Sequence, residues 1–428
     1  MRTIYKILLL VAVLLCPTLI SAQAERSDAF RENYRLKEVV VLSRHNIRSP
    51  LSTTGSVLGK MTPHQWTDWS ANTSELTLRG GALETMMGQF FRTWLVSEGL
   101  FPENHVPSAD EVYVYANSMQ RTIATAQYFT SGFMPVANLT IHHRMAPSKM
   151  DPVFCPQLTK VSDEFSQQAL QQIQAMYGNK GLEAITDSLQ EAYKILAKVL
   201  DFKQSPAYKS GEVTAFNEHD LQLFFQKGKE PGMKGGLKTA TSAADALILQ
   251  YYEEPDAKKA AFGHAMSQQD WEQVARIKDV YGDVLFTAPV VAYNVAHPLL
   301  VYLNDELNIP NRKFTFLCGH DSNIASVNAA LEVENYELPN SIEKKTPIGC
   351  KLVFEKWEDK NHQEYIAVNL VYQSTEQLRE LQLLDVKNPP MVYPLKLKNV
   401  PLNADGLYTF EDVQSRFEKA ITAYDCIE

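Results

Sequence analysis

A short apolar segment that ends in basic side chains most constrains how this chain can fold. Residues 39–42 are Val-Val-Val-Leu, typical of a strand buried on both faces, and the chain continues as Ser-Arg-His-Asn-Ile-Arg-Ser-Pro. Arg44, His45 and Arg48 therefore follow the carboxyl end of a predicted strand, where parallel sheets bind ligands. Guanidinium groups match phosphate oxygens, and an imidazole between them can attack phosphorus. The alternative for this segment alone is an arginine-rich strand end in solvent.

A second strand-turn-helix pattern lies far downstream. Residues 314–318 are mostly apolar, the turn that follows contains Gly319, His320 and Asp321, and residues 324–331 have the composition of an apolar helix. This turn supplies an imidazole as a ligand for a phosphate oxygen and a carboxyl group as a proton donor for a leaving alcohol. A single His-Asp pair means little, but its combination with Arg-His-x-x-Arg-x-Pro is specific.

The remaining patterns predict an α/β fold, with a twisted, mostly parallel sheet flanked by helices and an inserted, mainly helical cap domain. Residues 111–115 resemble a strand and residues 121–129 the following helix, so Arg121 is a candidate for a third phosphate-binding arginine. Residues 350–357 and 364–372 have the pattern of an antiparallel hairpin. Helical periodicity dominates the middle of the chain. We therefore expect an α/β domain of residues 23–148 and 265–428 and a cap domain of residues 149–264.

The first residues predict export. Arg2 and Lys6 precede an apolar stretch at residues 7–15, and small residues follow, which indicates a signal peptide of residues 1–22 cut after Ala22 or Ala24. We expect a periplasmic or secreted protein without a membrane anchor after cleavage. Loss of Arg2 and Lys6 changes the formal net charge from −9 to −11. This charge argues against nucleic acid as a partner, and the oligomeric state stays open.

The two basic motifs together resemble the histidine acid phosphatases. This branch of the histidine phosphatase superfamily includes phytases and periplasmic glucose-1-phosphatases, and the closest resemblance is to the bacterial glucose-1-phosphatases. The resemblance covers nearly the whole mature chain and extends through residues 115–122, 150–152, 249–253, 319–325 and 346–349. It implies an acid phosphatase that hydrolyses sugar phosphates such as glucose 1-phosphate through a phosphohistidine intermediate.

The residue types and the resemblance together imply a role for each side chain. His45 is the expected nucleophile and Asp321 the expected proton donor. The phosphoryl oxygens are expected to bind to Arg44, Arg48, Arg121 and His320. The reaction needs no metal or other cofactor, and an acidic pH optimum is expected because Asp321 must carry a proton.

Two departures from the wider family bear on the substrate. Most members have glycine after the nucleophilic histidine, whereas this chain has Asn46, which tolerates a left-handed backbone. We expect its side chain to enter the pocket and contact the substrate. Bacterial phytases tend to carry Thr-Lys where this chain has Leu51 and Ser52, so a cation suited to a polyphosphorylated ring is missing. A small phosphorylated sugar is the expected substrate, and an inositol phosphate, which would make the protein a phytase, is the alternative.

Two non-hydrolase functions also compete. A phosphoglycerate mutase-like phosphotransferase uses a related Arg-His motif, but the predicted signal peptide and the His-Asp proton donor favour a hydrolase. An inactive sugar-phosphate-binding protein is the second alternative, but every side chain required for catalysis is present.

The cysteines and the other histidines suggest structural roles. By resemblance to phytases, Cys155 is expected to pair with Cys426. Cys318 and Cys350 either form a second disulfide bond or remain two buried free thiols. His142 and His143 are adjacent on an apparent strand, so their side chains face opposite ways and no metal site is expected there. Ordinary surface or loop positions are expected for His64, His105, His219, His264, His297 and His362.

Overall fold

A computed structural model of the protein describes residues 26–51 and 57–428. The predicted signal peptide, both cleavage positions and Ser52 lie outside these residues. The strands are β1 Tyr34–Arg44, β2 Val112–Ala116, β3 Ile141–His142, β4 Gln222–Phe224, β5 Gly232–Lys234, β6 Phe314–Gly319, β7 Lys351–Asp359, β8 Glu364–Tyr372, β9 Met391–Pro394 and β10 Tyr408–Thr409.

Fifteen α-helices and one short 3-10 helix, Phe202–Gln204, complete the described part of the chain. The helices are α1 Asp28–Asn33, α2 Val57–Lys60, α3 Leu78–Ser97, α4 Gln120–Phe133, α5 Asp163–Met176, α6 Glu183–Ser188, α7 Gln190–Val199, α8 Pro206–Lys209, α9 Gly236–Glu253, α10 Ala257–Ala260, α11 Gln268–Phe286, α12 Pro289–Glu306, α13 Asp321–Ala330, α14 Thr375–Glu380 and α15 Phe410–Asp425.

A mixed eight-stranded sheet forms the centre, in the order β10-β8-β7-β1-β6-β2-β3 with β9 also paired to β8. Strands β1, β6, β2 and β3 are parallel, whereas β7 to β10 pair antiparallel and include the predicted hairpin. Arg44 is in register with Gly319, and Ala116 with Cys318. The carboxyl ends of β1, β6 and β2 therefore meet at one edge. The α/β class is confirmed, and its parallel half carries this edge.

The apolar pattern of β1 places the strand between two hydrophobic cores. Val39 and Val41 belong to the core that includes α3 and α4, while Val40 and Leu42 belong to the core on the opposite face of the sheet. All four side chains are fully buried. Successive residues of a strand point to opposite faces, so a continuous β-branched and aliphatic run fits a strand covered on both sides.

Two glycines allow α3 and α4 to pack unusually closely. A Cβ atom added to Gly88 would lie 2.1 Å from the carbonyl oxygen of Phe129, and one added to Gly132 would lie 2.1 Å from that of Thr85. Both neighbours are backbone atoms and cannot turn aside. This contact fixes α4, whose first turn contains Arg121, against α3 and the sheet.

The middle of the chain is mainly helical. Helices α5 to α10 lie between residues 149 and 264, together with a short β4-β5 hairpin. One hydrophobic core continues from α3 and α4 into α7, α9 and α11. The division into separate domains at residues 149 and 264 stays a prediction.

The predicted disulfide is not formed in this structure. Cys155, Cys318, Cys350 and Cys426 are all free thiols. Cys155 lies on the turn after Asp151, where burial and then the nearby Glu230 raise its pKa to about 11. Lys160 holds the chain terminus instead, since its Nζ donates to three carbonyl groups at 3.1 Å, those of Tyr424, Asp425 and Ile427.

Among residues 26–51 and 57–428, no single helix is both long and apolar enough to cross a membrane. Helices α11 and α12 meet that criterion only as a pair, and they are bent by 85° relative to each other.

Candidate active site

The carboxyl ends of the parallel strands open into a cavity of about 510 Å³. Helices α9 and α11 form much of the opposite wall. Six of the seven predicted site residues line this cavity, namely Arg44, His45, Arg48, Arg121, His320 and Asp321. Three separate strand-to-turn junctions thus bring together side chains up to 277 positions apart in the sequence, from Arg44 to Asp321.

The imidazole of His45 is oriented by its own loop. Its Nδ1 lies 2.9 Å from the carbonyl oxygen of Asn46. A carbonyl only accepts hydrogen bonds, so Nδ1 carries the proton and Nε2 keeps a free lone pair. Burial, followed by the charges of Arg121 and Arg48, lowers the pKa of His45 well below its usual value. The ring is therefore neutral in mild acid and can act as a nucleophile.

Three arginines surround His45 and have unused donors. Arg44 donates to Glu343 at 2.9 Å, and Arg48 donates to Asp245 at 3.0 Å. Arg121 has no hydrogen bond or ion pair with any described residue, and burial followed by Arg48 lowers its pKa to about 10, so it stays charged. In all three side chains the Nε–H group is buried without an acceptor. All three guanidinium groups line the cavity, and Arg121 has no anionic partner among the described residues, so the cluster is suited to bind an anion.

Buried carboxylates and a lysine hold these arginines in place. Lys278 on α11 lies 2.9 Å from Asp245 and 3.2 Å from Glu343, so it joins the carboxylate partners of Arg48 and Arg44. Glu343 also accepts hydrogen bonds from the Tyr252 hydroxyl and the Ile348 backbone. The result is a continuous charge network from the β1 loop to α9 and α11.

His320 is positioned by Asn117, which is not among the predicted site residues. The Asn117 side-chain oxygen accepts from the Asp151 backbone at 2.9 Å, so its NH₂ group faces His320 Nε2 at 2.7 Å. Nε2 is thus the acceptor, so the proton of the neutral ring is on Nδ1. Burial, followed by Arg121, lowers the pKa of His320. A neutral imidazole that offers one N–H suits a phosphoryl oxygen.

Asp321 begins helix α13 and faces the cavity. Its carboxylate lies 3.3 Å from the Arg44 guanidinium, and 46% of its side chain is exposed. Partial removal from water by itself raises the pKa of Asp321, but Arg44 and then Lys278 outweigh that effect and leave the pKa below its usual value. Without substrate the ionised form is therefore favoured.

The expectation that the Asn46 side chain enters the pocket is wrong. Its side chain is buried away from the cavity, where Nδ2 donates to Glu84 at 2.7 Å and Oδ1 accepts from the Ile47 backbone. Asn46 is absent from the described residues with positive φ, and Gly349 beside it has the left-handed conformation instead, at φ +68°. Asn46 therefore stabilises the loop that carries His45 from the side that faces away from the cavity. Leu51 does line the cavity and is exposed.

The supporting residues left different signals in the sequence. Asn117 directly follows β2, so the strand-end rule that identified Arg44 and His320 also applies to it. Asp245 lies between Ala244 and Ala246 in the middle of helix α9, and an acid between two apolar residues is a usable signal. Glu343 lies in a loop and meets Arg44 across 299 positions, so no local pattern indicates it.

Comparisons with known proteins agree with this geometry. Residues 35–373 match the model of the histidine phosphatase superfamily (branch 2). The chain is 38% identical to a glucose-1-phosphatase of Salmonella typhimurium strain LT2, over 96% of this chain and 99% of the relative. It is 40% identical to a glucose-1-phosphatase of Providencia rettgeri, over 90% of this chain and 92% of the relative.

A solved structure shows the same fold. The phytase of Hafnia alvei in complex with myo-inositol hexakis sulphate is 28% identical and superposes with a TM-score of 0.82, covering 91% of this chain and 98% of that one. The resemblance predicted from the two motifs is thus confirmed, and the chain belongs to branch 2 of the histidine phosphatase superfamily, the histidine acid phosphatases.

Proposed function

We propose that this protein hydrolyses phosphate monoesters of small sugars, with glucose 1-phosphate as the expected substrate, through a phosphohistidine on His45. One observation carries the proposal. Three arginines and the neutral His45 imidazole line one cavity. Because a phosphoryl group offers oxygens to several guanidinium groups at once, it can bind to these arginines with phosphorus next to Nε2.

In the first step, Nε2 of His45 attacks phosphorus and the bond to the ester oxygen breaks. Asp321 donates its proton to the departing oxygen, so the sugar leaves as a neutral alcohol. The charge that develops on the phosphoryl oxygens is stabilised by the three arginines and by Nδ1–H of His320.

In the second step, water attacks phosphorus while the Asp321 carboxylate takes one of its protons. The P–N bond breaks and releases inorganic phosphate, which returns His45 to its neutral form and leaves Asp321 protonated. Arg44 takes part in both steps because it lines the phosphate site and also contacts Asp321.

Acidic conditions should favour this cycle. Arg44 keeps the pKa of Asp321 low in the free enzyme, but a phosphate dianion beside the carboxylate repels its negative charge and raises that pKa. Substrate binding therefore helps to load the proton donor. Activity should fall as the pH rises and Asp321 loses its proton in the complex.

The charge balance of the cavity favours a substrate with one phosphate group. In the described part of the chain, the cavity wall has six acidic and six basic side chains. The basic ones are Arg44, Arg48, Arg121, Lys238, Lys278 and Lys345, and the acidic ones are Glu230, Asp245, Asp279, Asp283, Asp321 and Glu343. The three arginines around His45 accommodate one dianion. Among the described wall residues three lysines remain, which is fewer cations than five further phosphates need. Carboxyl groups are good partners for sugar hydroxyls.

Chemical trapping tests the mechanism. Protein mixed with radiolabelled glucose 1-phosphate and quenched in denaturant should carry label on His45, and His45→Ala should lose both the label and turnover. His142→Ala is the matched control, because His142 stacks on Tyr113 outside the cavity, and it should keep wild-type activity. Substantial activity in His45→Ala would exclude the covalent route. Failure of the wild type to release free phosphate would favour a phosphotransferase or a binding protein.

A substrate comparison tests the sugar preference. The ratio of kcat/KM for glucose 1-phosphate and phytate, measured at one acidic pH and fixed ionic strength, should favour glucose 1-phosphate. A phytate preference of tenfold or more, about 1.4 kcal/mol in the opposite direction, would replace this proposal with a phytase.

We also propose that the protein is exported to the periplasm or secreted. The basic and apolar pattern of the first 22 residues supports this location. Amino-terminal sequencing of protein from a periplasmic fraction should begin after Ala22 or Ala24. Recovery of the uncleaved chain from the cytoplasm would contradict export.

A further inference from the structure

We propose that His64, Asp201 and His264 form a binding site for Zn²⁺ or a similar divalent transition-metal ion, separate from the active site. The three residues come from the loop between α2 and α3, the end of α7 and the loop after α10. Their ligand atoms all lie within 4.8 Å of one another, and none of them lines the active-site cavity. No local spacing in the sequence connects the two histidines, so only the fold brings them together.

A rearrangement of the three side chains would let them hold an ion. Nε2 of His64 lies 2.7 Å from Oδ2 of Asp201, and Nε2 of His264 lies 3.1 Å from the same oxygen. In a tetrahedral zinc site with bonds of about 2.0–2.1 Å, neighbouring ligand atoms are about 3.3 Å apart. The two nitrogen–oxygen distances must therefore grow by about 0.6 and about 0.2 Å, and the two Nε2 atoms, which lie within 4.8 Å of each other, must also be about 3.3 Å apart.

Proton positions also allow this exchange. Without metal, each Nε2–H donates to the shared carboxylate oxygen. With metal, each neutral ring takes the tautomer that has its proton on Nδ1, and the Nε2 lone pair binds the ion. The hydrogen bonds from His64 and then His264 lower the pKa of Asp201, so the third ligand is already ionised.

Neighbouring groups hold the ligands in position. The His64 ring stacks on Phe262 with a centroid distance of 5.1 Å, and Phe262 packs edge-on against Trp66. Asp201 and Phe262 both have left-handed backbones, at φ +47° and +53°. Such conformations are uncommon for residues other than glycine and persist only where the surroundings fix them.

The ligand set selects the class of ion. Two imidazoles and one carboxylate suit zinc and related ions, whereas Mg²⁺ and Ca²⁺ prefer oxygen ligands throughout. Three protein ligands leave a fourth position for water, and the three side chains are 26% to 34% exposed, so water and ions can reach them. A bound ion would join three segments that are far apart in the sequence and stabilise their packing.

Calorimetric titration of ZnCl₂ into untagged, metal-stripped mature protein at neutral pH tests the proposal. We expect one ion per chain at this site with a Kd of about 1 μM or lower. His64→Asn and His264→Asn should each weaken binding at least about tenfold, since even indirect changes around metal sites cost roughly that much. Zinc should also raise the melting temperature of the wild type more than that of either variant.

His219→Asn is the matched control, because His219 forms a 2.9 Å pair with Asp187 without a second imidazole. This variant should bind zinc like the wild type. Unchanged phosphatase activity in all three variants would show that they are folded, so that weaker binding reports the loss of a ligand. Absence of zinc binding by the wild type, or wild-type affinity in both His64→Asn and His264→Asn, would overturn the proposal and leave a hydrogen-bonded His-Asp-His cluster.

Discussion

The buried ion pair beneath the nucleophile loop gives a quantitative prediction. Glu84 and Lys351 are 2.5 Å apart and neither side chain has any exposed surface. The second Glu84 oxygen accepts from Asn46, next to His45. In Glu84→Gln, the new amide has only one acceptor oxygen, so either the buried ammonium or the asparagine amide loses its partner.

The cost follows from burial. Removal of one partner from a buried ion pair typically costs about 3–5 kcal/mol, because the other charge stays uncompensated. The entropy of unfolding is about 2.1 cal/mol/K per residue, which gives about 0.8 kcal/mol/K for roughly 400 residues that unfold together. The melting temperature should therefore fall by about 4–6 °C. We also expect a lower kcat, because a change in the hydrogen bond between Asn46 and residue 84 should displace the loop that carries His45.

The same substitution at an exposed pair is the control. Lys60 and Glu212 are 3.0 Å apart, and about half of each side chain is exposed. Glu212→Gln should cost at most about 1 kcal/mol, or about 1 °C. Calorimetric scans at one rate compare both variants with the wild type. If the two shifts agree within about 1 °C, burial does not determine the energy of the Glu84–Lys351 pair and the reasoning fails.

Three further predictions concern catalysis and pH. Asp321→Asn should slow hydrolysis of alkyl phosphates far more than that of p-nitrophenyl phosphate, whose leaving group needs little protonation, and equal losses in kcat/KM would remove Asp321 as the proton donor. EDTA should change kcat/KM by less than about twofold even if it empties the proposed zinc site. A larger loss of activity that added metal restores would contradict the metal-free mechanism. Burial raises the pKa of Asp279 to about 7, so the Asp279 carboxyl group keeps its proton in the folded protein up to about that pH. In the unfolded chain the same group loses its proton near pH 4. The stability that this proton contributes is therefore lost as the pH rises from about 4 to 7. Over that range the melting temperature of Asp279→Asn should fall less than that of the wild type. Parallel plots of melting temperature against pH for the two proteins would contradict this prediction.

The sequence was most informative where function depends on strand ends. Arg44, Arg121 and His320 each follow an apolar run, and parallel pairing brings such ends to one edge regardless of their distance in the chain. This geometric rule predicted six of the side chains that line the cavity. It also explains why the α/β class could be predicted.

Predictions failed where the answer depends on contacts between distant segments. Asn46 was expected in the pocket because most family members have glycine at that position, which suggests a left-handed turn. Glu84 instead binds the Asn46 side chain on the other side of the loop, and Gly349 leaves room for it because it has no Cβ. Glu343 has no local signal, because its importance comes from Arg44 and Lys278. The Cys155–Cys426 pairing was transferred from relatives, and Lys160 holds the chain terminus here instead.

The carboxylate partners of Arg44 and Arg48 have a consequence for binding entropy. A free arginine side chain has about 2 kcal/mol of rotamer entropy, which is lost when the side chain is fixed. Glu343 and Asp245 restrict two guanidinium groups during folding. A substrate therefore avoids an ordering cost of up to about 4 kcal/mol, close to a thousandfold in affinity. Arg121, which has no such partner among the described residues, is the arginine whose ordering accompanies substrate binding.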